Sequence, residues 1–305
     1  MIPGEAAGPN AGKPASRAFI LKGMALAADS PEDRPFHHYT LKHRATAWVS
    51  LHLFDGATYT VRHGLLKGMK RKGGLGWVPQ VFSRGEMTAE HEFWQKLDLQ
   101  GMTVYDIGAF QGLLALFFAS RAQRVVCFEP NSRNHRRLME NLELNGIRNV
   151  TVRKVGVGSR HETLRMVSNP LMMGGSSVDG KTVEELLRSG AGTVAEEIPV
   201  VTLDREIGEA GLPAPDFIKI DIEGWEIEAL RGARQTIAAR KPALFLEMHG
   251  ETLAEKKRKA AEIVAFLWEA GYRDIRHIES GAAIAPANAE AAREGHLYCR
   301  PASAS

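Results

Sequence analysis

The feature that most constrains the fold is an alternation of short apolar runs with longer amphipathic runs from residue 103 onward. Short runs rich in β-branched residues are typical of buried strands, and the longer runs repeat their apolar residues at helical spacing. Strands that alternate with helices build a mostly parallel sheet covered on both faces, so we predict a doubly wound α/β fold. The predicted strands are 103–107, 124–129, 150–154, 216–221, 243–248, 272–278 and 296–300.

The segment before residue 103 has a different composition and pattern. Residues 1–15 are rich in Gly, Pro and Ala and are predicted to be a disordered leader, and 16–96 an N-terminal extension that starts with a short helix. In 48–63, the pair Asp55–Gly56 separates two runs of β-branched and aromatic residues, which predicts a β-hairpin. A helix with an acidic first turn follows from Thr88.

Residues 97–301 then form the predicted sheet domain, with an insertion at 156–202. This segment is too long for a simple crossover between two strands. Within it, 163–168 and 197–203 alternate or run apolar like the arms of an added hairpin. The insertion is therefore expected to add a small β element beside the sheet.

Composition excludes several classes of protein. The net charge of +3 is too small to indicate nucleic-acid binding without a concentrated patch. The longest apolar run, "LLALFFA", is far shorter than the roughly 20 residues that span a bilayer, so no membrane span is expected. Cys127 and Cys299 lie in predicted strands and match no metal or redox spacing, which favours two buried thiols in a cytoplasmic protein.

The stretch "VYDIGAFQG", residues 104–112, is a strand end followed by a tight turn into a helix. Gly108 and Gly112 lack a Cβ, so a ligand could lie against the backbone there. Phe110 stands where the dinucleotide fingerprint has its middle glycine, and Asp106 disfavours a phosphate. A cationic cofactor without a phosphate at this point, S-adenosylmethionine, fits better than a nicotinamide or flavin.

Acidic residues follow other predicted strands. Glu129 ends the second strand, where a doubly wound fold places the acid that accepts both ribose hydroxyls. The alternative is an exposed acid that caps the helix starting near Pro130. Asp221 and Glu223 follow the fourth strand, and His249 follows the fifth together with Glu247. Ligands of open α/β sheets bind at this edge, so these groups are expected to converge.

Two roles are open for this second group. His249 or Asp221 could accept the proton of an acceptor hydroxyl, or the acids could bind Mg²⁺ that orients a diol. The spacing alone assigns no metal ligand. His249 could also be a surface imidazole after a strand, and Glu226 and Glu228 are predicted to lie on a solvated helix face.

The ordered motifs "VYDIGAFQG", "FEPN", "LELNGIRNV", "TLD", "DFIKIDIEGWEIEALRGA" and "ALFLEMHG" resemble the FkbM family of S-adenosylmethionine-dependent methyltransferases, across roughly residues 97–250. The resemblance implies a seven-stranded Rossmann-like sheet with an antiparallel last strand, and O-methylation of a hydroxyl on a small molecule or sugar. It implies catalytic roles near the methyl group for Asp221, Glu223 and His249. The cofactor residues that it implies are Asp106, Gly108, Ala109, Gly112, Glu129, Pro130, Asn131 and Gly156.

One segment departs from the pattern of many such enzymes. They carry an acid after the third strand that reads the adenine amino group, whereas this chain has "RKVGVGSR", so backbone groups around Val155 to Val157 are expected to replace it. The basic stretch "KGMKRK", 67–72, suggests a nucleic-acid methyltransferase as an alternative, although a solvated basic loop is favoured. A module that binds the cofactor without catalysis is a further alternative.

Overall fold

The computed structural model describes residues 55–73, 88–168, 176–177, 194–250 and 252–301. The predicted leader, the predicted short helix and the first arm of the predicted hairpin lie outside these residues. The strands are β1 (Thr58–Thr60), β2 (Lys70–Lys72), β3 (Thr103–Ile107), β4 (Arg124–Phe128), β5 (Val150–Arg153), β6 (Gly156–Val157), β7 (Glu162–Ser168), β8 (Ser176–Ser177), β9 (Val194–Val201), β10 (Phe217–Ile220), β11 (Ala243–Glu247), β12 (Tyr272–His277) and β13 (His296–Pro301). The helices are α1 (Ala89–Lys96), α2 (Leu113–Ala119), α3 (Ser132–Leu144), α4 (Leu203–Gly208), α5 (Glu226–Gly232), α6 (Arg234–Arg240) and α7 (Leu253–Glu269), with a 3-10 helix at Pro286–Ala292.

A seven-stranded sheet forms the centre, in the order β12-β13-β11-β10-β3-β4-β5. β3, β4, β5, β10 and β11 run parallel, whereas β13 is antiparallel to both of its neighbours. The mostly parallel α/β sheet predicted from the sequence is confirmed. Because the central strands are parallel and in register, the loops after β3, β4, β10 and β11 leave the sheet at one common edge.

The two faces of the sheet bury different apolar clusters. On β3, Tyr105 belongs to one cluster and Val104 to the other, as the alternation of side chains along a strand requires. Trp94 of α1 is fully buried in the second cluster, with its ring 4.3 Å from that of Phe245. The helix predicted from Thr88 onward is therefore part of the layer that covers the sheet, with the Thr88 hydroxyl as its N-cap. Cys127 and Cys299 are buried free thiols, as predicted.

The basic segment differs from its prediction. Lys70–Lys72, expected in a solvated loop, is a strand that pairs antiparallel with Thr58–Thr60. Side chains of α3 explain this, because Asn145 accepts the Lys70 N–H and Asn141 accepts the Lys72 N–H. The ammonium of Lys72 also pairs with a carboxylate of α3 at 3.4 Å. The positive charge of Lys72 is thus paired within the chain.

The insertion contains the expected paired strands. β7 pairs antiparallel with β9, from Glu162 opposite Val200 to Ser168 opposite Val194, and β6 adds to β9 in parallel. Met166, Ile198 and Val200 bury their side chains together on this small sheet. Across the described parts of the chain, no helix is both long and apolar enough to cross a membrane.

Candidate functional site

A pocket opens at the carboxyl edge of the central sheet. The turn after β3, the end of β4 and the loop after β10 surround it, and the small sheet of the insertion closes one side. Of the predicted site residues, Gly108, Glu129, Pro130, Gly156, Asp221 and Glu223 line the pocket, whereas Asp106, Ala109, Gly112, Asn131 and His249 are not part of its lining. The remaining wall is mainly apolar and comes from Ile107, Phe110, Phe128, Val155, Val157, Leu164, Met166, Ile198, Val200, Ile222 and Trp225, with Asn134 as a polar member.

The two glycines of the first turn also have a role within the fold. Gly108 has φ +81°, and a Cβ on it would lie 1.8 Å from the carbonyl oxygen of Asp221. Gly112 has φ +85°, and its Cβ would lie 2.4 Å from Cδ1 of Leu138. Gly108 therefore permits close contact between the loops after β3 and β10, whereas Gly112 permits close contact between the first turn and α3.

A buried lysine connects the same two loops. Lys219 Nζ lies 3.3 Å from Asp106 Oδ1 and 3.1 Å from Asp221 Oδ2, and it donates to the Gly108 carbonyl at 2.9 Å. Burial alone would lower the pKa of Lys219, but Asp221 and Asp106 raise it, so the lysine is a cation. Burial raises the pKa of Asp106, a residue with no solvent exposure.

Asp106 depends on this single cation. Among the described residues, neither of its carboxylate oxygens has a hydrogen-bond donor of good geometry. Lys219 was not among the predicted site residues, although a lysine inside the otherwise apolar "FIKI" strand was a usable signal. The predicted cofactor residue Asp106 therefore lies behind the pocket wall as the counter-charge of Lys219.

Glu129 is buried at the pocket edge, with 5% of its surface exposed. Its Oε2 accepts the N–H of Phe110 at 2.8 Å and its Oε1 accepts the N–H of Asn131 at 2.9 Å. The helix cap is Asn131, whose side chain accepts two N–H groups of α3, so the alternative role of Glu129 as an exposed cap does not apply. These two bonds occupy two of the roughly four lone-pair sites of the carboxylate, and the side chain of Asn134 also contacts it. Burial raises the pKa of Glu129 to about 7, against the lowering effect of these bonds.

Replacing Glu129 with alanine is expected to weaken S-adenosylmethionine binding about tenfold or more, because hydrogen bonds to a charged acceptor contribute roughly 1.5–3 kcal/mol. For the parent protein the dissociation constant should be about tenfold higher at pH 6 than at pH 8, since the carboxylate that accepts best is the form present above a pKa of about 7. Calorimetry at both pH values measures this. Glu143→Ala, an exposed acid on α3, is the control. A pH dependence that persists in Glu129→Ala would contradict the assignment.

Carboxylates surround His249 after β11. Its Nδ1 donates to Glu226 Oε1 at 2.9 Å. Its Nε2 lies 3.5 Å from Glu223 Oε2, 3.5 Å from Glu247 Oε1 and 3.9 Å from Asp221 Oδ1. The structure thus brings the acids after β10 and the His–acid pair after β11 together, and His249 is not an isolated surface imidazole.

The charges in this cluster influence one another. Burial would lower the pKa of His249, but the bonds to Glu226 and Glu247 raise it to about 11, so with these neighbours the imidazole is cationic at neutral pH. Burial raises the pKa of Glu223 to about 7 and also raises that of Asp221. The pKa of Glu247 is held well below its usual range by His249 and His296, although burial opposes this. An imidazolium has no lone pair, which argues against His249 as the expected proton acceptor.

The prediction for Glu226 was wrong. Its side chain is 1% exposed and accepts the Gly224 N–H at 2.8 Å as well as the His249 ring N–H. Helical spacing suggested a solvated face, but Glu226 is the first residue of α5 and turns back toward the loop that precedes it. Glu228, which also lies in the first turn of α5, is half-buried and pairs with Arg231.

Both pocket loops contain a non-glycine residue with a left-handed backbone. Phe110 has φ +49° in the turn after β3, and Glu223 has φ +54° in the loop after β10. Such residues cost of order 1–3 kcal/mol and cluster at functional sites, where the surrounding structure holds them. The loop that presents Glu223 to the pocket is therefore under local strain.

The backbone of Gly156 and Val157, expected to read adenine, is partly used by the fold. It pairs with Val200 and Val201 of β9, and the N–H of Gly158 is bonded to the Val201 carbonyl at 2.9 Å. Strands β7 and β9 of the insertion also supply an apolar wall of the pocket. Its pocket residues are Leu164, Met166, Ile198 and Val200.

A mostly parallel sheet with this strand order, an antiparallel last strand and a pocket at its carboxyl edge defines a methyltransferase-like α/β fold. The sequence agrees with the fold. The profile of the family described as "Methyltransferase FkbM domain" matches residues 106–273, more than half of the 305-residue chain. The chain belongs to the FkbM methyltransferase family.

Several known proteins are similar to this chain. An alignment 178 residues long, which covers 48% of this chain, is 31% identical to "AMB antimetabolite synthetase AmbE" of Pseudomonas aeruginosa and spans 8% of that protein's length. The crystal structure of the FkbM methyltransferase of Methylobacillus flagellatus KT is 22% identical, over 66% of this chain and 43% of that one, with a TM-score of 0.40. The Streptococcus mutans putative methyltransferase SMU.1697c, in complex with SAH, is 11% identical over 69% of this chain and 94% of that one, with a TM-score of 0.39.

Proposed function

We propose that the protein is an S-adenosylmethionine-dependent methyltransferase that methylates a hydroxyl group of a small molecule or sugar. Membership of the FkbM methyltransferase family supports this. The observation that carries the proposal is that one pocket joins Glu129, at the end of β4, to Asp221 and Glu223, after β10. A nucleoside bound at Glu129 can thus reach the carboxylates of Asp221 and Glu223.

The residues of the pocket fit this cofactor. Glu129 would accept the two ribose hydroxyls, and Leu164, Met166 and Ile198 provide an apolar wall suited to the adenine ring. A pyrophosphate fits poorly, because Phe110 takes the place of a glycine and Asp106 lies beneath the turn. When bound, S-adenosylmethionine supplies an electrophilic methyl group on a sulfonium.

Glu223 is the best-placed proton acceptor among the three predicted catalytic residues. Asp221 is paired with Lys219 at 3.1 Å, and His249 donates its Nδ1 proton to Glu226. Glu223 lines the pocket, is 45% exposed and has its nearest ion-pair contact with His249 at 3.5 Å. A positioned carboxylate that takes the hydroxyl proton contributes roughly 10²–10⁴ in rate.

Two observations favour a small acceptor. The wall from the insertion is apolar, which suits an organic molecule of limited size. The relative AmbE is named an antimetabolite synthetase, which supports an acceptor among small-molecule products. A nucleic-acid acceptor is less favoured, because Lys72 of the basic segment pairs within the chain and the other three cations of 67–72 are too few for a large phosphate-binding surface.

Calorimetry tests the cofactor. Binding of S-adenosylmethionine and S-adenosylhomocysteine is expected, with no heat from NAD under the same conditions, because the first turn offers no pyrophosphate cradle. Tight NAD binding without binding of either sulfur compound would overturn the proposal. If the sulfur compounds bind but no hydroxylated acceptor is methylated in a metabolite-pool assay, the protein is a cofactor-binding module.

Replacing Glu223 with glutamine is expected to lower turnover by roughly 10²-fold or more, while cofactor affinity stays within a few-fold. The amide cannot accept the proton, yet it keeps the size of the side chain. Initial rates with saturating S-adenosylmethionine measure the effect, and Glu228→Gln, on the surface of α5, is the control. Parent turnover in Glu223→Gln would assign the proton to another group.

A further inference from the structure

We propose that Asp221, Glu247 and His249 form a binding site for a divalent cation such as Mn²⁺, which positions the oxygen atoms of the methyl acceptor beside the pocket. The role of the ion rests on the proposed methyl transfer, whereas the site itself can be tested without it. Three observations carry the inference: the geometry of the donor atoms, the neighbours that orient them, and the position of the cluster at the pocket.

The donor atoms converge. One ligand atom each from Asp221, Glu247 and His249 lie within 4.8 Å of one another. The imidazole Nε2 is 3.5 Å from the nearer oxygen of Glu247 and 3.9 Å from that of Asp221. Two ligands at about 2.1 Å from an ion and at right angles are about 3 Å apart, so small side-chain rotations complete the geometry. Two carboxylates and one imidazole suit a cation between Mg²⁺ and Zn²⁺ in softness.

Each donor is oriented by a neighbour outside the set. Glu226, which is 1% exposed, accepts the Nδ1 proton of His249, and this bond fixes the ring with Nε2 toward Asp221 and Glu247. Lys219 holds the far oxygen of Asp221 at 3.1 Å and leaves Oδ1 for an ion. His296 stands 3.7 Å from Oε2 of Glu247 and leaves Oε1. An imidazole held by a buried carboxylate is the arrangement that metal-binding histidines require.

The excess of carboxylates in the cluster also favours a bound cation. Four carboxylates, those of Asp221, Glu223, Glu226 and Glu247, lie within 3.9 Å of the His249 ring nitrogens. The neighbouring cations are shared, since Lys219 also pairs with Asp106 and His296 also pairs with Glu279. A divalent ion would displace the Nε2 proton of the His249 imidazolium and supply a larger positive charge at the point where these side chains meet.

The position of the cluster links the ion to the reaction. Asp221 and Glu223 line the pocket, and the side chains of Asp221, Glu247 and His249 are 20–38% exposed, so an ion there has room for ligands besides protein. Three protein donors leave about three positions of an octahedral ion. We infer an acceptor that fills two of them with adjacent oxygen atoms, as a vicinal diol or an α-hydroxy carbonyl compound does.

This placement allows methyl transfer by a single displacement. The acceptor oxygen forms a bond to the methyl carbon, the bond from carbon to sulfur breaks, and its electron pair stays on the sulfur. The hydroxyl proton passes to the carboxylate of Glu223, which lies 3.5 Å from the His249 ring. A divalent ion in contact with the hydroxyl makes its proton easier to remove and fixes its direction of attack.

The test is titration of the full-length protein with MnCl₂ alone, followed by the electron paramagnetic resonance of free Mn²⁺. We expect one bound ion per chain in the parent protein, and affinity at least tenfold weaker in Asp221→Asn, Glu247→Gln and His249→Gln. Glu294→Gln removes a carboxylate that pairs with Lys256 outside the cluster and should bind as the parent does. Circular dichroism verifies that the variants are folded.

A measurement on the parent protein keeps the test independent of the variants. Pulsed electron paramagnetic resonance of bound Mn²⁺ should show coupling to a histidine nitrogen. Parent protein that binds no Mn²⁺, ligand variants that bind it with parent affinity, or bound ion without nitrogen coupling would each overturn the site. Mn²⁺ binding without S-adenosylmethionine binding would uphold the site and reject the proposed methyl transfer. The reverse result would reject the site alone.

Discussion

Lys219→Met is expected to lower the free energy of unfolding by about 3–5 kcal/mol, because removing one partner of a buried ion pair leaves an uncompensated buried charge. The lysine is the cation nearest to Asp106, a carboxylate without solvent exposure. It also holds Asp221 and the Gly108 carbonyl, so its loss removes three contacts from the junction of β3 and β10. Urea denaturation followed by fluorescence measures the change.

Two variants separate the buried charge from the loss of one side chain. Lys219→Met combined with Asp106→Asn removes the stranded charge and should recover part of the lost stability. Lys256→Met breaks a surface pair with Glu294 at 2.9 Å and should cost less than about 1 kcal/mol. If Lys219→Met and Lys256→Met were equally stable, the buried lysine would not hold the two loops together.

The expected effect of Lys219 connects stability to the site. Asp221 and Glu223 belong to the loop that follows β10, and Lys219 is the last but one residue of that strand. A methionine there would free the Asp221 carboxylate to rotate. Lys219, beneath the pocket wall, therefore both stabilises the fold and orients the proposed ion ligand Asp221.

The sequence could predict those parts of the site that depend on strand topology. Once the alternation assigns parallel strands, Glu129, Asp221 and His249 must leave the sheet at the same edge, because parallel strands end there together. The strands of the sheet were predicted within one or two residues for the same reason, since buried strands bounded by helices have a clear periodic pattern. No knowledge of distant contacts was needed for these assignments.

Other features depend on contacts between segments far apart in sequence. Glu226 meets His249 across 23 residues, and its local pattern is that of any acid in the first turn of a helix. β2 exists because Asn145, 75 residues away, binds both the N–H and the carbonyl of Lys70. The basic composition of that segment indicated a loop, and the helix that stabilises it as a strand could not be read from the segment itself.

The same limit applies to the first glycine of the turn after β3. A glycine after a strand permits a close approach, but the sequence does not say what approaches. Here it is the Asp221 carbonyl, 1.8 Å from the place where a Cβ would stand. Gly108 thus lines the pocket and also permits close contact between the loops after β3 and β10, while its predicted contact with the cofactor stays a prediction.

Gly108→Ala is accordingly expected to be strongly destabilising, by roughly 2–5 kcal/mol. An L-residue with a left-handed backbone costs about 1–2 kcal/mol, and the new methyl group must push the Asp221 backbone aside, which adds about 1–3 kcal/mol. The displaced loop carries Glu223, so cofactor binding and turnover should fall together with stability. Denaturation in urea and calorimetry with S-adenosylmethionine measure the two effects.

Gly101→Ala separates the cost of the left-handed backbone from the cost of the collision at Gly108. Gly101 has φ +77°, close to the φ of +81° at Gly108, but no atom lies within 4 Å of the place of its Cβ. Both variants have a similar conformational cost, so the difference in their free energies of unfolding reports the collision with Asp221 and Ile222. We expect Gly101→Ala to lose only about 1–2 kcal/mol and to keep parent cofactor affinity. Equal losses in the two variants would mean that the loop after β10 yields without cost, and the rigid junction inferred at the pocket would then be wrong.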